Sequence, residues 1–390
     1  MSNVKSTSHT LLKSINQQKV LHLIFSEYPI SRVELAQKTG LSTQTVTNIV
    51  NRLLQDKVIV EGEPQALESG SGRKRVPLLI SSSRYCAIGL ELSGSSAKGA
   101  LYNFRNERLA SFELRENGYS SEEDLLRVVR GVLGKLVDKI PNTSELKGIG
   151  ISVHGLVDSS QGVLLRSPGL GWKRIPLAEL LEEEFTVPVY LENDTNLLAL
   201  NENMGGSLAL SRNNVTFKFD RGIGGAIVVE KQLVTGSSFV AGEVGHIKTF
   251  SAPFDYPCYC GGKGCLTTLA SAHGIGKNIG VTLETFAERL RSEEPEAVQL
   301  AGILMAAITN TIANTVTLLN PDRVLITGSV LKALGSVFIS ELETQVLANV
   351  PETCRSLAFI HKEDSPDGTT LAVGLVLQNV FKIPIDQLSL

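Results

Sequence analysis

Three of the five cysteines in this 390-residue chain lie within eight residues of one another, and this cluster restricts the fold more than any other local pattern. Cys258, Cys260 and Cys265 occur in the run CYCGGKGC, and His246 ends the run GEVGH upstream. One imidazole and three thiolates form a complete tetrahedral set for Zn²⁺ with no open position. The glycines between them let the backbone fold so that the thiolates converge. The pattern predicts a structural zinc site; a redox pair or unligated core thiols are the other interpretations.

The composition limits the class of protein. Five cysteines are too few for a disulfide scaffold, which indicates a reducing cytoplasm, and the isolated Cys86 and Cys354 fit buried packing positions. Hydrophobic residues make up 42% of the chain and charged residues 20%, which is typical of globular proteins. The amino terminus has no apolar signal segment, and no apolar run reaches the ~20 residues of a membrane span. We expect a cytoplasmic protein without membrane insertion.

The net charge of −3 is unevenly distributed. Residues 1–80 contain 10 Lys and Arg against 6 Asp and Glu, which gives +4, so the remainder of the chain carries −7. A basic head on an acidic body is the asymmetry expected of a nucleic-acid-binding arm, although +4 over 80 residues is modest.

The head has the pattern of three helices. Apolar spacing predicts a first helix over residues 16–26. Ser31 and Glu34 form a capping box for a second helix over residues 31–39, which Gly40 ends. Ser42 is placed to cap a third helix that runs to residue 54. A helix, a short glycine turn and a second helix is the helix-turn-helix spacing.

The third helix has an apolar and a polar face. Its polar residues can bond adenine edges and touch thymine methyl groups in a major groove. Two predicted strands, 57–61 and 76–80, flank a basic loop, as in a wing that grips phosphate or the minor groove. The other interpretation is a three-helix protein-docking module. The predicted DNA-binding residues are Ser42, Thr43, Gln44, Thr45, Thr47 and Asn48 on the helix, and Arg73, Lys74 and Arg75 in the wing.

Beyond residue 84 the pattern changes to strands followed by alternating helices and strands, twice over. This order predicts an α/β body with two lobes, so we divide the chain into a winged helix-turn-helix domain, 1–80, and a body, 85–390. The predicted strands are 85–92, 96–103, 107–113, 146–153, 187–191, 215–219, 226–229 and 323–327. The predicted helices are 121–139, 175–184, 195–203, 295–319 and 369–381.

Together these motifs resemble the ROK family of repressors, open reading frames and kinases. GEVGH followed by CxCGxxGC is close to the family signature, LENDTN (191–196) resembles its sugar-site motif, and SPGLGW (167–172) its upstream loop. The basic head and the segment GRKRVPLLI match the repressor branch, which includes regulators that respond to xylose, glucose and N-acetylglucosamine. The resemblance implies a two-lobed actin-like (RNase H-like) ROK domain with sugar bound in its cleft and zinc beside it.

The resemblance assigns four ligand-binding residues. Asn193 and Asp194 correspond to the residues that bind sugar hydroxyls, and in the kinases this aspartate is the base that removes a hydroxyl proton. Glu243 and His246 correspond to the Glu and His of the family signature. Without the resemblance, Asn193 and Asp194 would be interpreted as a helix cap at the end of a strand.

The chain departs from the kinases at three phosphate-binding loops. The first loop is ELSGSS (91–96), which has a serine in place of one glycine and lacks the kinase lysine. The second, DRGIGGA (220–226), begins with Asp220, whose charge is unfavourable beside phosphate, although Arg221 could offset it. The third retains one glycine in TGS (327–329). Together they predict that the protein is not an enzyme.

Two departures concern the sugar side. Thr267 stands where the family has a glutamate, and Gly169 where it has an asparagine, so the resemblance does not identify the effector. We expect a transcriptional repressor of carbohydrate genes that binds double-stranded operator DNA as a homodimer or homotetramer and responds to a sugar or sugar derivative. The alternatives are an ATP-dependent sugar kinase with a fused DNA-binding head, a scaffold regulated by protein contact, and a degenerate site that binds nothing.

Overall fold

The computed structural model describes residues 3–64, 75–167, 171–249 and 256–381. The chain forms two compact units: the first contains Met1–Glu192 and Gly368–Leu390, and the second contains Asn193–Asp367. The chain therefore enters the second unit after Glu192 and returns to the first after Asp367. Residues 1–80 lie in the same unit as residues 85–192, and their division into separate domains stays a prediction.

The head is a winged helix-turn-helix, as the spacing predicts. The Ser31 side chain accepts a hydrogen bond from the Glu34 amide while the Glu34 carboxylate accepts one from the Ser31 amide, which confirms the capping box. Gly40 adopts φ 69° and ends the second helix, a conformation that costs glycine little. The elements are α1 (Asn3–Ser26), α2 (Arg32–Thr39), α3 (Thr43–Gln55) and the antiparallel strands β1 (Ile59–Glu61) and β2 (Leu78–Ile80).

Two sequence predictions for the head were wrong at their boundaries. Helix α1 begins at residue 3, not 16. Residues 3–10, NVKSTSHT, show no apolar period, whereas Leu11, Leu12 and Ile15 were an apolar signal that the prediction left out. The wing strands are shorter than predicted. Lys57 has a left-handed backbone, φ 56°, before β1, and Pro77 before β2 has no N–H for a ladder bond.

The first unit continues with a five-stranded sheet in the order β10-β6-β3-β4-β5. Strands β3, β4 and β5 are antiparallel neighbours, and β3 runs parallel to β6. A small sheet, β7-β8-β9, was not predicted, because three to five residues are too few to show a period. The elements are β3 (Tyr85–Leu92), β4 (Ser96–Asn103), β5 (Arg108–Arg115), α4 (Glu122–Val137), β6 (Glu145–Val153), β7 (Leu156–Asp158), β8 (Val163–Ser167), β9 (Gly171–Ile175), α5 (Leu177–Phe185) and β10 (Val189–Asn193).

The second unit has its own five-stranded sheet in the order β13-β12-β11-β14-β15. Strands β11, β14 and β15 are parallel neighbours. On the other side of β11, β12 runs antiparallel to β11, and β13 runs antiparallel to β12. No sequence pattern predicted β13, α7, α8, α9, α11 or β15, and β12 begins at Ile223 and not at residue 226 as predicted. The elements are α6 (Asp194–Gly205), β11 (Asn214–Phe219), β12 (Ile223–Val229), β13 (Gln232–Leu233), α7 (Thr267–Ala270), α8 (Ala272–Ile279), α9 (Leu283–Arg291), α10 (Pro295–Leu319), β14 (Arg323–Thr327), α11 (Ser329–Ala348) and β15 (Ala358–Lys362).

Helix α10 has the predicted bounds and is the central helix of the second unit. Its 25 residues are long and apolar enough to cross a membrane by length and composition alone. In the structure, however, Leu304, Ile308 and Ile312 lie in one hydrophobic core with Phe217 and Phe286. The apolar character of α10 is therefore that of a core helix.

The last described helix, α12 (Gly368–Phe381), belongs to the first unit and packs against β3 and β6. Two glycines permit this close approach. A Cβ atom at Gly89 would overlap the carbonyl oxygen of Thr369, and one at Gly150 would overlap that of Ala372. Backbone thus meets backbone along the first half of the helix.

The end of α12 packs against the head. The ring of Phe381 stacks on Phe25 of α1 at 4.6 Å between centroids and meets Phe104 edge-on at 5.7 Å. The Gln18 side chain donates a 2.5 Å hydrogen bond to the Val380 carbonyl. The head and the sheet of the first unit consequently share one hydrophobic core, to which α12 contributes.

Candidate functional sites

Helix α3 presents the predicted DNA-binding residues on the face opposite its buried side. Val46, Ile49, Val50 and Leu53 are buried, as predicted, whereas Leu54 is only half-buried. The polar residues lie outside: Thr43, Gln44 and Asn48 are exposed, and Thr45 and Thr47 are half-buried.

Some of these polar residues also bond within the helix. The Ser42 hydroxyl caps α3 by accepting the Thr45 amide at 3.2 Å. The Gln44 side chain donates a 3.1 Å bond to the Asn48 amide oxygen, so these amides are held side by side on the exposed face. Such an arrangement suits contact with neighbouring base edges, while Ser42 contributes to the stability of the helix.

The one described wing residue of the predicted set forms an ion pair within the head. Arg75 donates a 2.6 Å bond to Glu34, the capping carboxylate of α2. Hydrogen bonding from the Ser31 side chain, aided by Arg75, holds the pKa of Glu34 below its ordinary value. Arg75 therefore joins the wing to α2, which the sequence analysis did not anticipate. Arg73 and Lys74 lie outside the described residues.

In the second unit, two glycines at the start of β12 let three backbone segments pack together. A Cβ atom at Gly224 would overlap the Thr195 hydroxyl of α6. One at Gly225 would lie 2.6 Å from the Gly242 carbonyl, and Gly242 itself has φ 88°. These glycines hold the start of α6 and the GEVGH turn against one strand end.

Asn193 and Asp194 of the LENDTN motif have different environments. The Asn193 side chain caps α6 by accepting the Thr195 and Asn196 amides at 2.9 and 3.2 Å, which is the helix-cap interpretation. Asp194 accepts a 2.9 Å hydrogen bond from Lys218 on β11. The side chains of Asp194 and Lys218 are 17% and 16% exposed, so this ion pair is largely shielded from water. A carboxylate so paired is a hydrogen-bond acceptor held in one place.

In two of the three segments that resemble phosphate-binding loops, or beside them, backbone amides are hydrogen-bonded to side chains of the protein. The Ser93 hydroxyl accepts the amides of Ser95 and Ser96 at 3.3 and 3.0 Å. Asp220 accepts the Ser329 amide at the start of α11 at 2.8 Å, and lies 3.7 Å from Lys218. Backbone N–H groups of the kind that cradle a phosphate are here bonded to side chains of the protein.

The four predicted metal ligands come together. The donor atoms of His246, Cys258, Cys260 and Cys265 all lie within 4.8 Å of one another. The Cys260 and Cys265 sulfurs are 3.6 Å apart, and the Cys258 sulfur is 3.5 Å from Nδ1 of His246. Tetrahedral zinc with bonds of about 2.3 Å to sulfur places its sulfur ligands about 3.8 Å apart, so the cluster has the dimensions of such a site.

The loop geometry explains this convergence. Gly261 and Gly264 adopt φ values of 89° and 66°, which let the chain reverse between the cysteines. The Cys258 amide donates to the Gly262 carbonyl at 2.8 Å and closes the turn. Burial raises the pKa of the Cys258 thiol to about 11.

Glu243 adjoins the cluster through His246. Its carboxylate oxygen is 3.7 Å from Nε2 of His246, while Nδ1 of the same ring faces Cys258. A carboxylate beside the second nitrogen is the usual means of orienting a metal-bound histidine. Glu243, which is predicted to bind the sugar effector, therefore also contacts His246, a predicted zinc ligand.

Other predicted positions have simpler outcomes. Thr267 is buried at the start of α7, Cys86 and Cys354 are buried free thiols, and Gly169 lies outside the described residues. Lys218 and Lys248 were not predicted, because their partners come from distant segments. The single charged residue of the strand NVTFKF was a usable signal for Lys218, because a lysine shielded from water needs an acceptor. No spacing rule indicates Lys248.

Comparison with known proteins agrees with this architecture. A ROK family model matches residues 87–373, and a winged helix-turn-helix DNA-binding model matches residues 13–60. The chain is 29% identical over 355 residues to the xylose repressor of Caldicellulosiruptor bescii, a match that covers 86% of this chain and 88% of the relative.

Solved structures share the fold. A ROK family transcriptional regulator, a homologue of the E. coli MLC protein, superposes with a TM-score of 0.80 at 23% identity, over 97% of this chain and 98% of that one. A ROK hexokinase from Thermus thermophilus superposes with a TM-score of 0.61 at 21% identity, over 75% of this chain and 97% of the kinase.

Its winged helix-turn-helix, joined to a two-unit α/β body, places this chain in the class of DNA-binding transcriptional regulators. The body model covers most of the chain, and the head model covers the helices in which the capping box and the exposed polar face occur. The chain belongs to the ROK family, and it is a ROK transcriptional regulator with a winged helix-turn-helix head.

The ion pair between Lys218 and Asp194 leads to a prediction about stability. Lys218→Met and Asp194→Asn should each lower the free energy of unfolding, and the double variant should lose less than the sum. We expect a coupling of about 0.5–3 kcal/mol from denaturant titrations, because the pair is shielded from solvent. The exposed pair Lys332 and Asp364 is the matched control, with a coupling of about 0.2–1 kcal/mol. Additive effects at Lys218 and Asp194 would contradict the prediction.

Proposed function

We propose that the protein is a cytoplasmic repressor of carbohydrate uptake or metabolism genes, and that a sugar or sugar derivative in the ROK body changes its affinity for operator DNA. The observation that carries this proposal is the exposed polar face of α3, presented by a head that shares its hydrophobic core with the body. The similarity to a xylose repressor over 86% of the chain supports the carbohydrate class.

The proposal assigns base contacts to α3 and backbone contacts to the wing. Gln44 and Asn48 lie side by side and are suited to bidentate bonds with base edges. Ser42, Thr43, Thr45 and Thr47 surround them at the helix start, where backbone amides can meet phosphate. Arg73, Lys74 and Arg75 supply the positive charge of the wing. A homodimer or homotetramer is expected, since helix-turn-helix proteins read half-sites about one DNA turn apart.

The alternative, a sugar kinase with a DNA-binding head, has less support. A kinase of this family needs Asp194 as a free base, whereas here Asp194 accepts a hydrogen bond from Lys218. Two loops that would cradle phosphate bond the side chains of Ser93 and Asp220 instead. A coupled ADP-release assay distinguishes the functions: sugar-dependent turnover that Asp194→Asn abolishes would establish the kinase.

The effector site is assigned to Asn193, Asp194, Glu243 and His246. A carboxylate can accept two hydroxyl bonds of a sugar. Asp194 offers one that is largely shielded from water, and Glu243 offers one whose side chain is 31% exposed. Effector binding changes DNA affinity only if it favours one conformation of the chain over another, which is the physical requirement for regulation.

The metal assigned to the cysteine cluster is structural zinc, held by His246, Cys258, Cys260 and Cys265. The donor set is complete without water, and the separations suit tetrahedral coordination. Bound zinc would fix the loop after the GEVGH turn and, through His246, the position of Glu243. Metal analysis of the purified chain should find about one equivalent.

Substitutions on α3 test the DNA assignment. Selection from a random duplex library should enrich a two-half-site sequence. Gln44→Ala or Asn48→Ala should then weaken binding to it by about 1–3 kcal/mol in fluorescence anisotropy, because each removes base contacts. Gln55→Ala, at the far end of the same helix, is the matched control and should bind normally.

The wing provides the second arm of that experiment. Arg73→Ala combined with Lys74→Ala, which leaves the Arg75–Glu34 ion pair intact, should weaken binding to all sequences alike and reduce the salt dependence, because it removes phosphate contacts. No enriched sequence, or no effect of the α3 substitutions, would contradict the proposed function.

A thermal-shift screen tests the effector assignment. Xylose, glucose, N-acetylglucosamine and their phosphates are the probes, and a bound sugar should raise the melting temperature by mass action. At a sugar concentration 100 times the dissociation constant the stabilisation is about 2.7 kcal/mol. Asp194→Asn should abolish the shift, and Asp364→Asn, an exposed carboxylate of the same unit, should keep it. A shift that survives Asp194→Asn would remove Asp194 from the site.

A further inference from the structure

Lys248 faces the cysteine cluster because the backbone places it there. It pairs with Cys265 in an isolated antiparallel bridge. The Thr249 amide donates to the Gly264 carbonyl, and the Leu266 amide to the Ile247 carbonyl, both at 3.0 Å. These two bonds hold the segment after His246 alongside the last cysteine.

The ammonium group of Lys248 reaches two of the three sulfurs. Its Nζ lies 2.6 Å from the Cys265 sulfur and 4.0 Å from the Cys260 sulfur. Gly262 leaves the space for it, since a Cβ atom there would be 2.5 Å from the ammonium nitrogen. The Gly262 amide also donates to the Cys260 sulfur at 3.4 Å. The glycines of the loop thus serve both the chain reversal and the approach of a cation.

The charge of the cluster gives this contact a consequence. Zn²⁺ with three thiolates and a neutral imidazole has a net charge of −1. Cys258 and Cys265 are buried and Cys260 is exposed, so water reaches only part of that charge. A cation held against the sulfurs lowers the cost of keeping them as thiolates, and groups next to metal ligands are known to change metal affinity.

We propose that Lys248 is the charge-compensating partner of the zinc thiolates and that it raises the zinc affinity of the cluster. This inference rests on the proposed zinc site and adds to it a positioning residue outside the four ligands. The role requires the positive charge and not only the backbone bridge, and the two requirements can be separated by substitution.

The test is a chelator competition on the full-length protein, with zinc release followed by the colour of 4-(2-pyridylazo)resorcinol. Zinc content and the circular dichroism spectrum are recorded first for every variant. Lys248→Gln keeps the length of the side chain and removes its charge, and its zinc dissociation constant should rise about 10–100-fold. Lys248→Arg keeps the charge and should stay within a few-fold of the wild type.

Lys263→Gln is the matched control, because it removes the same formal charge from the same loop. It should leave the zinc affinity unchanged. Unchanged affinity in Lys248→Gln, or equal losses in Lys248→Gln and Lys248→Arg, would overturn the role of Lys248. If Lys248→Gln does not fold, the Arg variant still decides, since the proposal requires it to retain zinc. Wild-type protein without zinc would instead overturn the zinc assignment itself, and this inference with it.

Discussion

The packing of α12 is the interaction on which the rest of the molecule depends. Its first half touches the backbone of β3 and β6 at two glycines, and its last ring stacks on α1 of the head. Burying Phe381 between Phe25 and Phe104 makes the head part of the core of the first unit. The DNA-binding helix is therefore not a module on a flexible tether, and a disturbance of α12 is expected to reach the surface that reads DNA.

The second unit combines close glycine contacts with paired charged side chains. Gly224 and Gly225, in the segment that resembles a phosphate loop, lie at the start of β12 and let α6 and the GEVGH turn pack closely. Nearby, the Asp220 carboxylate accepts the Ser329 amide and lies 3.7 Å from the Lys218 ammonium group. The shared fold therefore implies no shared activity, and function has to be argued from such side chains.

The sequence predicted local features and missed long-range ones. The capping box, the start of α10 at a proline, the strand β14 and the convergence of His246 with three cysteines are all confirmed, because each follows from neighbouring residues or a fixed spacing. The pairs Arg75–Glu34, Lys218–Asp194 and Lys248–Cys265 join segments 17 to 41 residues apart, and no local pattern reveals them. Residues 3–10 of α1 were missed because a polar segment shows no apolar period.

Amide hydrogen exchange on the full chain tests the shared core most directly. Phe381→Ala removes the ring that joins α12 to the head and should cost about 3–5 kcal/mol of local stability. Exchange should then accelerate in α2 and α3 as well as in β3 and β6, whereas Phe286→Ala, within the core of the second unit, should leave the head unchanged. If the amides of α3 exchange at the same rate in Phe381→Ala as in the wild type, the head is energetically independent of α12, which contradicts a shared core.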